Sequence, residues 1–413
     1  MRRVTSDRHA APVISSRLRQ ARLAVLAAFF LQGLTLAAIV TRLPAFRDKL
    51  GITEANVTAL LVMVALIAGV GSVLAELLAA RRGSATTLRL ALLTIAAAAA
   101  LIGLAPNRPA LFAAFVVYGV GIGAVDAAMN MQGVTVQGLY GRSVMTTFHG
   151  MWSIAGVVGA LYASGAARLE IGVAPYLAVV AVVGAVITWV AATWFVGSDL
   201  VTTEPTLTEV VGAPVPWKPI VMIGIAIVAF FVADTGVLSW STLYVDDALR
   251  SSAAIAPLAY AAYQGGAVLA RFGGDLLVRR IGPVAVVRAG TALGLAALVV
   301  IVASDNAWVA IVAFAFLGLG LSVIVPLAFA AAGSIGGPNA DAAIARVNIF
   351  NYLGNIVGGL LIGIVATAGD LRWIFVVPLV LVPVVFLVAA RFGAPVTATV
   401  SERGPAAGRP PRR

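Results

Sequence analysis

Two carboxylates and one imidazole stand inside stretches that are otherwise apolar. Asp126 lies in GIGAVDAAMNMQG at 121–133, with Asn130 one helical turn further on. Asp234 opens DTGVLSWSTLY, and His149 lies in TTFHGMWS. Groups of this kind can take up and release protons away from bulk water. Amide and aromatic side chains occur in the same stretches: Gln32, Trp152, Trp240, Tyr263, Gln264, Asn348, Asn351 and Asn355. Amides grip hydroxyls, and indole or phenol faces stack on C–H surfaces. Together they suit a polar, ring-shaped, uncharged solute better than a lipophilic drug. Trp240 can also be read as an interfacial aromatic, and Tyr244 is better read so.

Other chemistries find no residues. There are no cysteines, so thiol catalysis, disulfides and thiolate metal sites are excluded. The two histidines are His9 and His149, too few for a His-based metal cluster. The lysines are Lys49 and Lys218 and neither follows a phosphate-binding glycine loop; no Gly-x-Ser-x-Gly is present. The sequence therefore implies no enzyme, no cofactor and no metal.

The elements that hold these residues follow from the solvent. Of 413 residues, 61% are hydrophobic and 11% charged. A soluble chain carries about 25% charged residues, so lipid surrounds most of this one. Twelve segments are long enough to cross a bilayer, which takes about 20 apolar residues: 22–43, 54–79, 86–105, 109–138, 144–167, 173–196, 217–244, 253–278, 284–303, 307–332, 341–367 and 371–391. Thr53, Ser252 and Asp341 stand where N-caps belong. The first apolar run is too long for a secretory signal and reads as a retained helix. The net charge of +11 reflects Arg in loops rather than nucleic-acid binding. With the N-terminus inside, inner loops and tails hold twenty Lys and Arg and outer loops seven, which places both termini in the cytoplasm.

The polar connection 197–216 divides the spans into six and six. This gives an arm at 1–21, a bundle at 22–196, a linker at 197–216, a second bundle at 217–391 and a disordered tail at 392–413. AELLAARRG at 75–83 resembles GDLLVRRIG at 274–282, a shift of 199 residues. The same shift pairs Gly119 with Gly318, Gly121 with Gly320, Gly159 with Gly358 and Leu50 with Leu249. Glycines thus recur in both halves, while the charges do not. Asp126 pairs with Val325, Asp234 with Thr35, His149 with Asn348 and Arg271 with Ser72. An intramembrane charge costs at least about 2.5–3.5 kcal/mol. One that the sister repeat lacks points to an asymmetric site rather than to scaffold.

Two parallel repeats of six spans resemble the major facilitator superfamily, whose halves rock around a central site. That family carries a Gly, an Asp-Arg pair and a further Gly between spans 2 and 3 and again between spans 8 and 9. Here the first copy has Glu76, Ala80, Arg81 and Gly83, and the second has Asp275, Arg279, Arg280 and Gly282. The family's Asp is absent from both. Glu76 and Asp275 are read as its substitutes, latching the cytoplasmic ends through Arg81 and Arg280. The stretch MNMQG…GLYGR…TTFHGMWSIAGVVGA is similar to bacterial proteins distantly related to fucose and other sugar permeases. The resemblance implies an all-α membrane protein of twelve helices, with spans 1, 4, 7 and 10 lining the cavity.

The expected function is a monomeric, proton-coupled secondary transporter of the inner membrane that moves a small polar solute of sugar type. Asp126 and Asp234 would carry protons and His149 would relay them. Gln32, Asn130 and the amide and aromatic residues above would bind the solute. Proton-antiport efflux of a drug or metabolite is the alternative, and a non-transporting sensor is a further one.

Overall fold

With no water in a bilayer core, each backbone N–H and C=O must bond within its own segment, and apolar runs therefore fold as helices. The computed structural model describes residues 16–140, 144–197, 215–336 and 340–393. The side chains of residues 76, 134, 138, 146, 275, 340–342, 344, 345 and 348 lie outside the description. No strand occurs among the described residues.

Spans 1 to 6 are Ser16–Val40, Glu54–Arg82, Ser84–Leu104, Arg108–Tyr140, Met145–Arg168 and Val173–Ala191. Span 7 is Trp217–Leu243, prolonged by a π-turn at Tyr244–Ala248. Spans 8 and 9 are Leu258–Ile281 and Pro283–Ala303. Span 10 is Ala307–Leu321 continued by Ile324–Gly336, and span 11 is Ala340–Ala366. Span 12 is Trp373–Leu381 continued by Val384–Val388 and a short 3-10 turn, Ala389–Gly393. Eleven are long and apolar enough to cross a membrane. Span 8 has the length, at 24 residues, but carries Arg271, Asp275, Arg279 and Arg280. Outward faces are apolar, with Leu104 68% and Val380 70% exposed, as lipid contact requires.

Several boundaries differ from the sequence reading. Leu43–Leu50 is a separate short helix between spans 1 and 2. It starts with Pro44 near its N-terminus and ends at Gly51, whose φ of 61° suits glycine. Span 10 breaks because Pro326 has no N–H for the Ser322 carbonyl, and Pro383 does the same to Leu379 in span 12. Thr53 caps span 2, accepting from the Asn56 N–H at 3.4 Å, while the Asn56 side chain accepts from the Thr53 N–H. Ser252 is no helix cap: span 8 starts at Leu258, and the Ser252 carbonyl closes a turn with Ile255 and Ala256. Asp341 lies outside the described side chains. Tyr244 is not an interfacial aromatic. It is fully buried against Phe314 and Phe375, and its hydroxyl donates to the Ile301 carbonyl at 2.5 Å.

The repeated glycines do equivalent jobs in the two sequence halves. A Cβ on Gly119 would press on Ile67 of span 2 at 3.0 Å, and one on Gly318 would overlap the Tyr263 carbonyl of span 8. Gly121 meets Ile95 of span 3, and Gly320 meets Gly290 and Gly294 of span 9. Gly159 lies against Ala37 of span 1, and Gly358 against Val232 and Thr235 of span 7. Span 4 therefore packs on spans 2 and 3 as span 10 packs on spans 8 and 9, and span 5 on span 1 as span 11 on span 7. Close backbone approach replaces the hydrophobic effect, which lipid does not supply between helices.

Across the halves, span 5 runs along span 8 and span 2 touches span 11. Below, the terminal side is the one where span 1 begins at Ser16, and the far side is the opposite one.

Candidate functional site

Polar residues of spans 1, 4, 5, 7 and 8 pair with one another in separate small groups. Glycine sets the approach of spans 1 and 5. A Cβ on Gly33 would stand 2.6 Å from the Trp152 carbonyl oxygen. One turn from that crossing, Phe29 stacks on Phe148 and meets the His149 ring edge-on at 5.0 Å.

Asp126 faces this group. Gln32 Nε2 donates to Asp126 Oδ1 at 3.4 Å, joining span 1 to span 4. Asn130 turns its amide back to the Asp126 backbone carbonyl at 2.8 Å. Gln137, further along the same face, accepts from the N–H groups of Val144 and Met145 and so starts span 5. No hydrogen bond or ion pair joins Asp126 to His149 among the described residues.

Asp234 stands on span 7 of the other half. The Tyr263 hydroxyl donates to its Oδ1 at 2.7 Å. Tyr260, Tyr263 and Gln264 are buried, and Gln264 donates to the Tyr260 hydroxyl at 3.3 Å. Gln264 also packs on Gly156 of span 5, where a Cβ would meet its Cγ at 3.0 Å. Gln264 is therefore a seam residue as well as a polar one.

Two turns along span 8 from Tyr263, Arg271 crosses the seam. Its Nη1 donates to the Ser153 hydroxyl and, at 3.3 Å, to the His149 carbonyl. Among the described residues, no carboxylate oxygen lies within 4.0 Å of its guanidinium. The sequence comparison marked Arg271 as belonging to one half only but gave it no place in the site.

The remaining expected residues are spread more widely. Asn351 is half-buried and Asn355 exposed on span 11, where Asn355 Nδ2 donates to the Asn351 carbonyl at 2.9 Å. Asn355 and Tyr352 share a face with Gly363, whose Cβ position would overlap Thr58 of span 2. That face thus touches the other half at the far side and stands exposed toward the terminal side. Trp240 is 1% exposed. Trp152 is half-buried at the seam. Asn348, Glu76 and Asp275 lie outside the described side chains. Arg81 and Arg280 end spans 2 and 8 as exposed residues.

At the far side hydrogen bonds among the described residues join the halves. Arg47 pairs with Asp247, the Ser164 hydroxyl donates to the Ala254 carbonyl, and the Thr58 hydroxyl donates to the Gly363 carbonyl at 3.3 Å. An apolar groove lined by Leu269, Gly273, Leu277, Val286, Leu293 and Val323 lies on the outside of spans 8 to 10. Its lining suits acyl chains rather than a polar solute.

Comparison with known proteins gives a consistent picture. Residues 3–160 and 225–412 match the Major Facilitator Superfamily. An uncharacterized MFS-type transporter of Yersinia pestis is 30% identical over 355 residues, 84% of this chain and 89% of that protein. The membrane protein MosC of Rhizobium meliloti is 26% identical over 82% of each. Among solved structures, the nucleoside transporter NupG superposes with a TM-score of 0.69 at 12% identity, over 92% of this chain and 99% of that one. A variant of the fucose:proton symporter FucP of E. coli gives 0.59 at 15% identity, over 90% and 98%. At these identities the structural likeness speaks for the fold alone.

Proposed function

This chain belongs to the major facilitator superfamily, and on that premise we propose that it moves a small polar solute of sugar type by proton-coupled alternating access. The observation that carries the coupling is the setting of the two intramembrane acids. Asp126 is held by an amide and Asp234 by a phenol, with no Lys, Arg or His nitrogen within 4.0 Å of either among the described residues. Amide and hydroxyl groups both donate and accept. Gln32 can donate to a carboxylate or, turned over, accept from the carboxylic O–H, and Tyr263 has the same choice. Each acid thus keeps a partner in either protonation state, which a proton carrier needs. A structural acid would more simply be clamped by a cation.

In this reading the six-span halves are the rocking units and the contacts of spans 5 with 8 and 2 with 11 are their sliding surfaces. His149, exposed beside the seam, passes protons toward the terminal side. Gln32, Asn130, Trp152, Tyr263, Gln264, Asn348, Asn351 and Asn355 supply hydrogen bonds and stacking faces. Trp240 supports the site from behind. The protein sits as a monomer in the inner membrane with both termini cytoplasmic, the orientation that the Lys and Arg distribution favours.

The test is Asp126→Asn in proteoliposomes. Substrate exchange without a gradient should survive, while accumulation driven by a pH gradient should vanish. A variant that still concentrates substrate would make Asp126 structural.

A further inference from the structure

Arg271 is a cation placed deep in span 8, and among the described residues no carboxylate pairs with it within 4.0 Å. It lies ten residues before the end of that helix at Ile281, about 15 Å at 1.5 Å per residue. A guanidinium at such depth is expensive unless something compensates it. Its described partners are both neutral, the Ser153 hydroxyl and the His149 carbonyl, and both engage the same nitrogen, Nη1. Arginine has five N–H donors in a planar fork, and the contacts among the described residues use one nitrogen of it. Asp234 acts on the guanidinium through space, but makes no ion pair with it within 4.0 Å, and Tyr263 donates to the Asp234 Oδ1.

The position is also reachable and specific. Arg271 is half-buried and His149 beside it is exposed. The equivalent residue in the other half, Ser72, only donates to the Gly123 carbonyl at 3.0 Å, tying span 2 to span 4. Packing alone therefore does not need an arginine here. The guanidinium fork matches a carboxylate edge to edge.

We propose that Arg271 docks a carboxylate of the solute, so that the substrate is a small hydroxylated acid rather than an uncharged sugar. The amides and rings already described then hold its hydroxyls and its C–H face. Ser153 and the His149 carbonyl, from the opposite half, aim the fork. Because the anion would be held by an arginine of one half whose orientation is set by the other, its binding couples to how the halves sit. This assignment of substrate class rests on the transport reading above.

The test uses matched acid and neutral probes: glucuronate with glucose, galacturonate with galactose, gluconate with sorbitol. Thermal stabilisation of the purified protein reports binding, and counterflow in proteoliposomes reports transport. At least one acid should bind, and its neutral twin should bind about 10- to 100-fold more weakly, the range expected for losing charged hydrogen bonds. Arg271→Gln should erase that preference, and Arg271→Lys should keep part of it. If Arg271→Gln does not fold, Ser153→Ala, which leaves the charge but frees the fork, should still reduce the preference. Equal binding of acids and neutrals, no binding of any acid, or a preference that survives Arg271→Gln overturns the proposal. Acid binding without any counterflow would keep the anion site and overturn the transport reading. Counterflow of neutral sugars without acid binding would do the reverse.

Discussion

Arg47 Nη2 donates to Asp247 Oδ1 at 2.6 Å, and Nη1 bonds the other oxygen of the same carboxylate. This two-pronged pair joins the short helix after span 1 to the π-turn that ends span 7. Asp246 Oδ2 lies 3.9 Å away and Glu54 Oε1 3.6 Å. The repeat offset of 199 residues places Arg47 at the position equivalent to Asp246. The two homologous segments therefore face each other about the axis relating the halves, one carrying a cation and the other acids. The Asp247 hydrogen bond is the main reason that the Arg47 guanidinium holds its proton even more firmly than usual.

This pair should act as a far-side gate. Arg47→Gln removes the cation and leaves the acids to repel each other. Arg47 is 20% and Asp247 31% exposed, so solvent screens the pair and about 1 kcal/mol is the reasonable scale. That shifts a two-state population roughly fivefold. A cysteine placed at Thr58, in this naturally cysteine-free chain, should then react faster with an impermeant maleimide applied from the far side. High salt should act in the same direction. An unchanged rate would mean that the pair is ornamental.

Much of this fold can be read from the sequence because lipid leaves few options. Long apolar runs become helices, and the repeated glycines at 119 and 318 mark close crossings in both halves. What stays hidden is local backbone chemistry and long-range pairing. Leu43–Leu50 is too short and too polar to register beside the spans. The site is legible only in part. Asp126, Asp234 and Arg271 stand out as charges that one repeat lacks, but which neighbour each would meet depends on rotation about the helix axis. Gln32 reaching Asp126 is of that kind. Arg47 counted only as a loop charge, although the offset that aligned the repeats already set it opposite Asp246.

Glycine at the crossings gives a second prediction, on stability. Gly123→Ala would drive a methyl group into the Ala68 carbonyl between spans 4 and 2. Overpacking against backbone costs about 1–3 kcal/mol, so the melting temperature in detergent should fall. Gly69→Ala is the control. Nothing lies within 4 Å of the added carbon, and alanine favours the helix by up to about 1 kcal/mol. Equal behaviour of the two variants would show that the close approach of spans 2 and 4 is not needed.

His149 separates backbone from side chain. Its carbonyl receives Arg271, while its ring rests against Phe29. His149→Gln keeps the carbonyl and removes the titrating ring. Proton-driven uptake should slow by about a hundredfold or more if the ring relays protons, while exchange and acid binding should stay close to wild type. A loss of binding together with uptake would mean that the ring serves the solute and not the proton.

The last prediction joins the far-side pair to the terminal side. Glu76 and Asp275 occupy equivalent positions near the ends of spans 2 and 8, ahead of Arg81 and Arg280. We propose that these acids pair with arginines when the terminal side closes, as Arg47 pairs with Asp247 when the far side closes. The two sets then stabilise opposite states, and their variants must act with opposite sign. Glu76→Gln with Asp275→Asn should favour opening at the terminal side, and Arg47→Gln opening at the far side. Each is expected to move the equilibrium by about 1–3 kcal/mol or less. The sites lie at opposite ends of the spans, so the effects should add. The triple variant should therefore fall between the other two, near the wild-type balance but with a faster exchange of states. Cysteines at the terminal ends of spans 4 and 10 report one opening and a cysteine at Thr58 the other. If the acid variants slow alkylation at the terminal side, or if all variants open the same side, the terminal latch does not exist and the two acids serve folding or topology.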